Sequence, residues 1–224
     1  MQYTNENLIY LKSNEKISQF ILNKLKKANI EYSKNKNFSK YKLAIQEIFK
    51  LKPLNKITIQ AKYYLAGFVE GEGSLSVGIK KNNSTRFKLY LDPEFNITQH
   101  INGISNLFLA MFIFNTGRIR YKSGSNATFV YTVDNRKSLQ EKIIPFYENY
   151  VNKYGCEVKK NRLLLFKQLL VFFNKKAHLN FQQLLFEILP LWDKLRIQVG
   201  QSNESFKNLE EIQEYVKKAN SNRK

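Results

Sequence analysis

Residues 65–73 read Leu65-Ala66-Gly67-Phe68-Val69-Glu70-Gly71-Glu72-Gly73, a short apolar helix running straight into two acids threaded between glycines. On a helical wheel Ala61, Leu65, Phe68 and Val69 fall on one apolar stripe, and Tyr64, Gly67 and Gly71 on a second beside it. The two stripes span more than half the circumference, so this helix must pack on two sides. Gly67 and Gly71, four apart on one face, let another backbone approach closely. Thr58 can cap the N-terminal end. Glu70 and Glu72 fall at the C-terminal end, where the helix macrodipole disfavours an anion by roughly 0.3–1 kcal/mol. A carboxylate kept in that position points to a divalent cation as its partner.

The rest of the chain must supply the two packing layers, and its composition allows this. The 224 residues are 43% hydrophobic, with 17 Phe and 13 Tyr, enough for one large domain or a domain with an extension. Lys and Arg number 37 against 18 Asp and Glu, and the resulting charge of +19 suits a polyanion, nucleic acid being the usual one. One cysteine, Cys156, excludes an internal disulfide and a cysteine-cluster zinc site. The two histidines, His100 and His178, lie too far apart in sequence to suggest a histidine metal site; His100, at a strand–helix junction, could touch nucleic acid. No run of 18 or more apolar residues suggests a membrane span. The opening Met1-Gln2-Tyr3-Thr4-Asn5-Glu6 has neither a signal peptide's apolar core nor an Arg-rich transit pattern, so the product is expected to work where it is made.

Residues 1–56 read as an added helical module, and 57–224 as the main domain. Ile17, Phe20, Ile21 and Leu25 have helical spacing, as do Tyr41, Ile45, Ile48 and Phe49, with Ser33–Asn37 as a loop between them and Pro53 closing the second pattern. This module is too small to fold well alone and is expected to lie on the main domain or on the nucleic acid. After Gly73 the period changes from helical to two. Leu75, Val77 and Ile79 begin one strand, Lys81–Ser84 turn, and Phe87, Leu89 and Leu91 alternate with Arg86, Lys88 and Tyr90 in a second, the apolar face resuming at Phe95 and Ile97 after Pro93. An apolar helix follows through Ile104, Leu107, Phe108, Met111 and Phe112. A second hairpin alternates Arg118, Arg120 and Lys122 with Ile119 and Tyr121, turns at Ser123–Asn126, and returns through Phe129, Tyr131 and Val133. From about residue 138 the pattern is helical, and Asn208 with Glu211 has capping-box spacing for a last helix. Four strands with helices gathered on one face make an α+β domain. The other face carries cations among Ser, Thr, Asn and Tyr, a surface that can enter a major groove and read base edges.

The motif string resembles that of the LAGLIDADG homing endonucleases and their maturase relatives. It matches at Leu65, Ala66, Gly67 and Gly73, with Glu70 and Glu72 where Asp is commoner. The segments Leu91–His100, Lys122–Thr128, Ile144–Tyr147 and Gly200–Glu204 resemble the group of that family encoded in group I introns of organellar large-subunit ribosomal RNA genes, over roughly residues 38–210. This resemblance implies an αββαββα core with a four-stranded antiparallel DNA-binding sheet, an N-terminal helical extension and C-terminal helices. It implies metal-dependent hydrolysis of DNA with Mg²⁺, or another divalent cation such as Mn²⁺, held by Glu72 and the carbonyl of Gly71. Catalysis would fall to Glu72, Gln99 and Lys160, with Lys159 an alternative to Lys160 and Glu70 a further candidate metal partner. An arginine that some relatives keep shortly after the glutamine is replaced here by Gly103. Ser76, Gly78, Lys80, Arg86, Lys88, Tyr90 and Asn96 of the first hairpin would bind DNA, as would Arg118, Arg120, Lys122, Ser123, Asn126 and Thr128 of the second. One motif per chain implies a homodimer joined through Tyr64, Gly67 and Gly71, acting on double-stranded DNA of approximate two-fold symmetry. The resemblance also implies an organellar location, and the lack of a long apolar run predicts no membrane partner. The alternative is a maturase, an RNA splicing cofactor without cleavage activity.

Overall fold

The computed structural model describes residues 10–12, 14–197 and 205–221. Two stretches used above, Met1–Glu6 and Gly200–Glu204, therefore lie outside the described residues. The helices are α1 (Gln19–Asn35), α2 (Phe38–Ile48), α3 (Ile59–Glu72) and α4 (Ile104–Phe114), then α5 (136–151), α6 (Glu157–Asn174), α7 (181–197) and α8 (Leu209–Ser221). The strands are β1 (Gly73–Lys81), β2 (Leu89–His100), β3 (Arg118–Tyr121) and β4 (Thr128–Val133), forming one antiparallel sheet in the order β1-β2-β4-β3. The α+β class expected from the change of period is the one observed. No helix among the described residues is long and apolar enough to cross a membrane.

Thr58 caps α3 as expected, its hydroxyl accepting from the Ala61 N–H at 3.1 Å, and the helix stops at Glu72, where the chain turns extended through Gly73. Leu65, Ala66 and Val69 are buried on the apolar stripe. Helix α4 is buried nearly all round, through Ile104, Leu107, Phe108, Ala110, Met111 and Phe114. At the other end of the chain Asn208 caps α8 by accepting from the Glu211 N–H, and the Glu211 carboxylate reaches back to the Lys207 N–H.

Three expectations about element boundaries are corrected. Ser33–Asn35 belong to α1, which ends only at the left-handed Lys36. Polar composition marked this stretch as loop, but its polar side chains need only a solvated helix face. Within α1 the buried residues are Leu25 and Ala28, whereas Phe20 is 66% exposed and Ile17 is buried ahead of the helix. The second strand begins at Leu89 rather than near Arg86. Residues 82–88 form a turn closed by the Asn82 N–H on the Lys88 carbonyl (2.8 Å), with the Thr85 hydroxyl donating to the carbonyls of Asn82 and Leu89 and Lys88 in the left-handed region at φ +54°. Strand β2 then runs unbroken through Pro93, which sits on the buried face in register with Leu91 and Phe95.

The chain divides into two compact units: the described residues of Met1–Ser74 with Asn96–Val133, and those of Leu75–Phe95 with Asp134–Lys224. Each unit closes one edge of its strands with side chains. In the first, β3 pairs with β4 so that Ile119 lies opposite Tyr131. The outward backbone of Ile119 is met from α1 and α2. Its N–H donates to the Tyr41 hydroxyl at 3.0 Å, its carbonyl accepts from Asn29 Nδ2 at 3.0 Å, and the Tyr41 hydroxyl donates to Asn29 Oδ1 at 2.9 Å. Burial pushes the Tyr41 hydroxyl well above its ordinary pKa, so it stays protonated and keeps both roles. The N-terminal module thus lies on β3, as one of its two expected positions required.

In the second unit the β1 carbonyls of Leu75 and Val77 accept from Arg162 Nε (2.7 Å) and Trp192 Nε1 (2.9 Å). Arg162 also donates to the Leu195 carbonyl at 2.9 Å, is 2% exposed, and has its pKa lowered by burial. Removing the hydroxyl in Tyr41→Phe leaves the Ile119 N–H buried without its acceptor. A loss of about 1–3 kcal/mol in unfolding free energy is expected from urea titration, with Asn29→Ala giving a loss of the same order.

Candidate active site and nucleic-acid surface

Helix α3 buries one face and leaves another bare. Tyr64 is 58% exposed, and Gly67 and Gly71 are exposed beside it. A Cβ built on either glycine meets nothing within 4 Å, and neither glycine has positive φ. Neither backbone conformation nor crowding within this chain therefore calls for glycine at these positions. Tyr64 is not a loose side chain, since its hydroxyl donates to Asn106 Oδ1 on α4 at 3.0 Å. The same face ends at Glu72, which is exposed; none of the described residues offers its carboxylate a hydrogen bond or an ion pair. Gly71 lies in the last turn, where carbonyls run out of intrahelical donors. One carboxylate and one carbonyl oxygen suit a hard cation. No cluster of three or more His, Cys, Asp or Glu occurs among the described residues.

Gln99 stands near the end of β2, half-buried, in the same unit as Glu72. His100 follows it and turns inward: its Nδ1 accepts from the Asn102 N–H at 3.4 Å, capping the short 3-10 turn Ile101–Gly103. Lys160 belongs to the other unit, in the first turn of α6, where its ammonium pairs with Glu157 at 2.7 Å. His178, given no role from sequence, has its pKa lowered by burial and by the nearby Arg136.

The residues expected on the polar face divide into groups. Lys80, Arg120, Lys122 and Ser123 are exposed, and Gly78, Asn96, Arg118, Asn126 and Thr128 are half-buried. Tyr90 is exposed on β2 as its alternation requires. Arg86 and Lys88 lie in the 82–88 turn, off the strand face on which the sequence pattern placed them. Ser76 is 9% exposed, its hydroxyl 3.5 Å from Glu94 Oε1. Asp92 and Glu94 share the alternation of Tyr90 and Asn96, so β2 carries acids on this face.

The structure adds a feature that the sequence reading did not include. Gln19, Asn23, Lys26, Asn29 and Lys34 of α1, with its apolar Leu22, Leu25 and Ile30, line a cleft of about 600 Å³ with Arg118, Arg120 and Tyr121 of β3. Their polar spacing was visible in the sequence, but nothing there tied α1 to the edge of β3.

Comparison with known proteins agrees with this geometry. Residues 65–170 match the LAGLIDADG endonuclease family. The DNA endonuclease I-CeuI of Chlamydomonas moewusii is 50% identical over 207 residues, covering 92% of this chain and 94% of that protein. The similarity is longer than the stretch 38–210 suggested by the motifs, so it reaches into the N-terminal helices. The structure of I-CeuI, a group I intron-encoded homing endonuclease complexed with DNA, superposes with a TM-score of 0.87 over 92% of this chain and all of that one. The archaeal intron-encoded homing endonuclease I-Vdi141I, also complexed with DNA, is 29% identical, with a TM-score of 0.63 over 71% of this chain and 96% of its own. The chain belongs to the LAGLIDADG endonuclease family, and its function is that of a homing endonuclease. Relatives that are endonucleases by name do not favour the maturase alternative.

The open space at Gly67 and Gly71 gives a stability test. Gly67→Ala and Gly71→Ala should each raise the unfolding free energy of the isolated chain by about 0.5–1 kcal/mol, because alanine restricts the unfolded chain and meets no obstacle in the helix. Thermal melts at high dilution would measure this.

Proposed function

We propose that two copies of this chain join through the Tyr64–Gly67–Gly71 face of α3 and cut both strands of a duplex whose target has approximate two-fold symmetry. The observation that carries this reading is the bare glycine face ending in an exposed Glu72. A self-complementary contact about a two-fold axis covers the same patch on both copies and brings the two carboxylates to one place. Each Glu72, with the Gly71 carbonyl, would hold a divalent cation, Mg²⁺ or Mn²⁺. The missing ligands would come from the partner copy and the phosphates. When bound, such a cation supplies Lewis-acid polarisation of the phosphate and a lowered pKa for water.

The chain's own residues orient the reactants. The Gln99 carboxamide holds the attacking water by hydrogen bonding, and Lys160, or Lys159 beside it, adds positive charge near the departing oxygen. Arg118, Arg120, Lys122 and Lys80 neutralise phosphates, joined by Arg86 and Lys88 from the turn and by Lys26 and Lys34 from α1. Ser76, Gly78, Tyr90, Asn96, Ser123, Asn126 and Thr128 face or border the groove. Ser76 stays beside Glu94 unless the bound duplex draws it out. Residues 1–56 act as an added module on an endonuclease domain of 57–224. We further assign the gene to a group I intron of an organellar large-subunit ribosomal RNA gene, with the intronless allele as substrate and the organelle as the place of action.

Incubation of the purified protein with a plasmid carrying the intronless ribosomal locus and Mg²⁺ should give linear product. Glu72→Gln should reduce the cleavage rate by at least about two orders of magnitude, since it removes a direct cation ligand, while leaving binding to the same duplex in place. Binding without a cut by the unmodified protein would refute the cleavage reading. The Ala variants of Gly67 and Gly71, more stable as isolated chains, should lose cleavage together with dimerisation measured by sedimentation. In a salt titration, Arg120→Ala should reduce the log–log slope of DNA binding by about 0.9 per half-site if it neutralises one phosphate.

A further inference from the structure

Gly103 begins α4 at φ −103° and ψ 15°, a conformation open to any residue, so the backbone does not explain the glycine. Its surroundings do. A Cβ at this position would lie 2.5 Å from Gln99 Oε1, 3.0 Å from Gln99 Cδ and 3.5 Å from Gln99 Cγ. The Gln99 carboxamide therefore occupies the space that any side chain at 103 would need. The clash is with the far end of a flexible side chain and not with backbone, in contrast to Gly117, where a Cβ would come 2.8 Å from the Thr132 carbonyl oxygen.

The turn itself is held from several directions. The Asn102 carboxamide accepts from the Leu11 N–H at 3.0 Å and donates to the Leu11 carbonyl at 2.8 Å. The Ile101 N–H donates to the Ala127 carbonyl at 2.8 Å. Ile101 and Ile104, on either side of the turn residues, are fully buried. With the backbone at 101–104 fixed in this way, a side chain at 103 is accommodated by expelling the Gln99 carboxamide.

We propose that Gly103 is a positioning residue, whose missing side chain leaves the notch in which the Gln99 carboxamide rests for its part in cleavage. The inference rests on the assignment of Gln99 under Proposed function. It goes beyond that assignment by naming what leaves room for the side chain.

Gly103→Ala and Gly103→Ser are the test variants, the serine keeping a good helix-capping group while carrying the same Cβ. Both should melt as the unmodified protein does and bind the intronless ribosomal duplex with unchanged affinity, yet cleave it at least about tenfold more slowly at saturating DNA. Gln99→Ala should show a similar loss, and adding Gly103→Ala to it should cost nothing further, because the group to be positioned is gone. Wild-type cleavage by a folded Gly103→Ser, or a multiplicative loss in the double variant, would overturn the proposal. A second arm does not depend on cleavage. In the unmodified protein the Gln99 side-chain amide protons should show nuclear Overhauser contacts to the Gly103 α-protons, and the absence of these contacts would overturn the proposal even in a protein that cuts. An unmodified chain that shows them but never cuts would instead count against the endonuclease reading.

Discussion

A small open sheet ends on two sides in unpaired backbone groups, and satisfying them constrains this structure more than any other single requirement. An exposed edge invites another strand, by aggregation or by addition. Here the outward N–H and carbonyl of Ile119 are taken up by Tyr41 and Asn29, and the outward carbonyls of Leu75 and Val77 by Arg162 and Trp192. The helices outside the core motif therefore do more than add size. Four of them, α1, α2, α6 and α7, each bring a polar group to a sheet edge, through Asn29, Tyr41, Arg162 and Trp192. A guanidinium 2% exposed and bonded only to carbonyls, among the contacts described, would be costly as a lone group. It is tolerated because the carbonyls it meets would otherwise be buried without donors.

The proposed pairing of two copies would use a different surface, the bare face of α3. Gly67 and Gly71 leave open space within the chain, and the Tyr64 hydroxyl is already tied to Asn106, so this face is ordered before any partner arrives. Under the proposed pairing, the chemistry of the two copies would meet at the exposed Glu72 at its end. Lys80 and Arg120 are both exposed, as the proposed phosphate contacts require. The acids Asp92 and Glu94 on β2 suit discrimination among bases better than general attraction.

Much of this was legible in the residues. The helix end at Glu72, the Thr58 cap, the change to a two-residue period at Gly73, the second hairpin with its turn at Ser123–Asn126 and the Asn208 cap all follow from local rules, and all are observed. The failures were equally local in origin. Ser33–Asn35 looked like loop because polar composition cannot separate a solvated helix face from a turn. Arg86 and Lys88 looked like strand because alternation continues through a turn that happens to alternate.

The sequence by itself determined the motif helix, the α+β class, the basic character and the acid on which cleavage is proposed to depend, because each is written in neighbouring residues whose spacing has one physical reading. Only the tertiary structure decided which groups close the sheet edges, that Ser76 turns towards Glu94, that α1 shares a cleft with Arg118 and Arg120, and that Gln99 rests in the space left by Gly103. These are contacts between residues brought together by packing, and packing depends on the whole set of buried side chains at once. No local spacing encodes it.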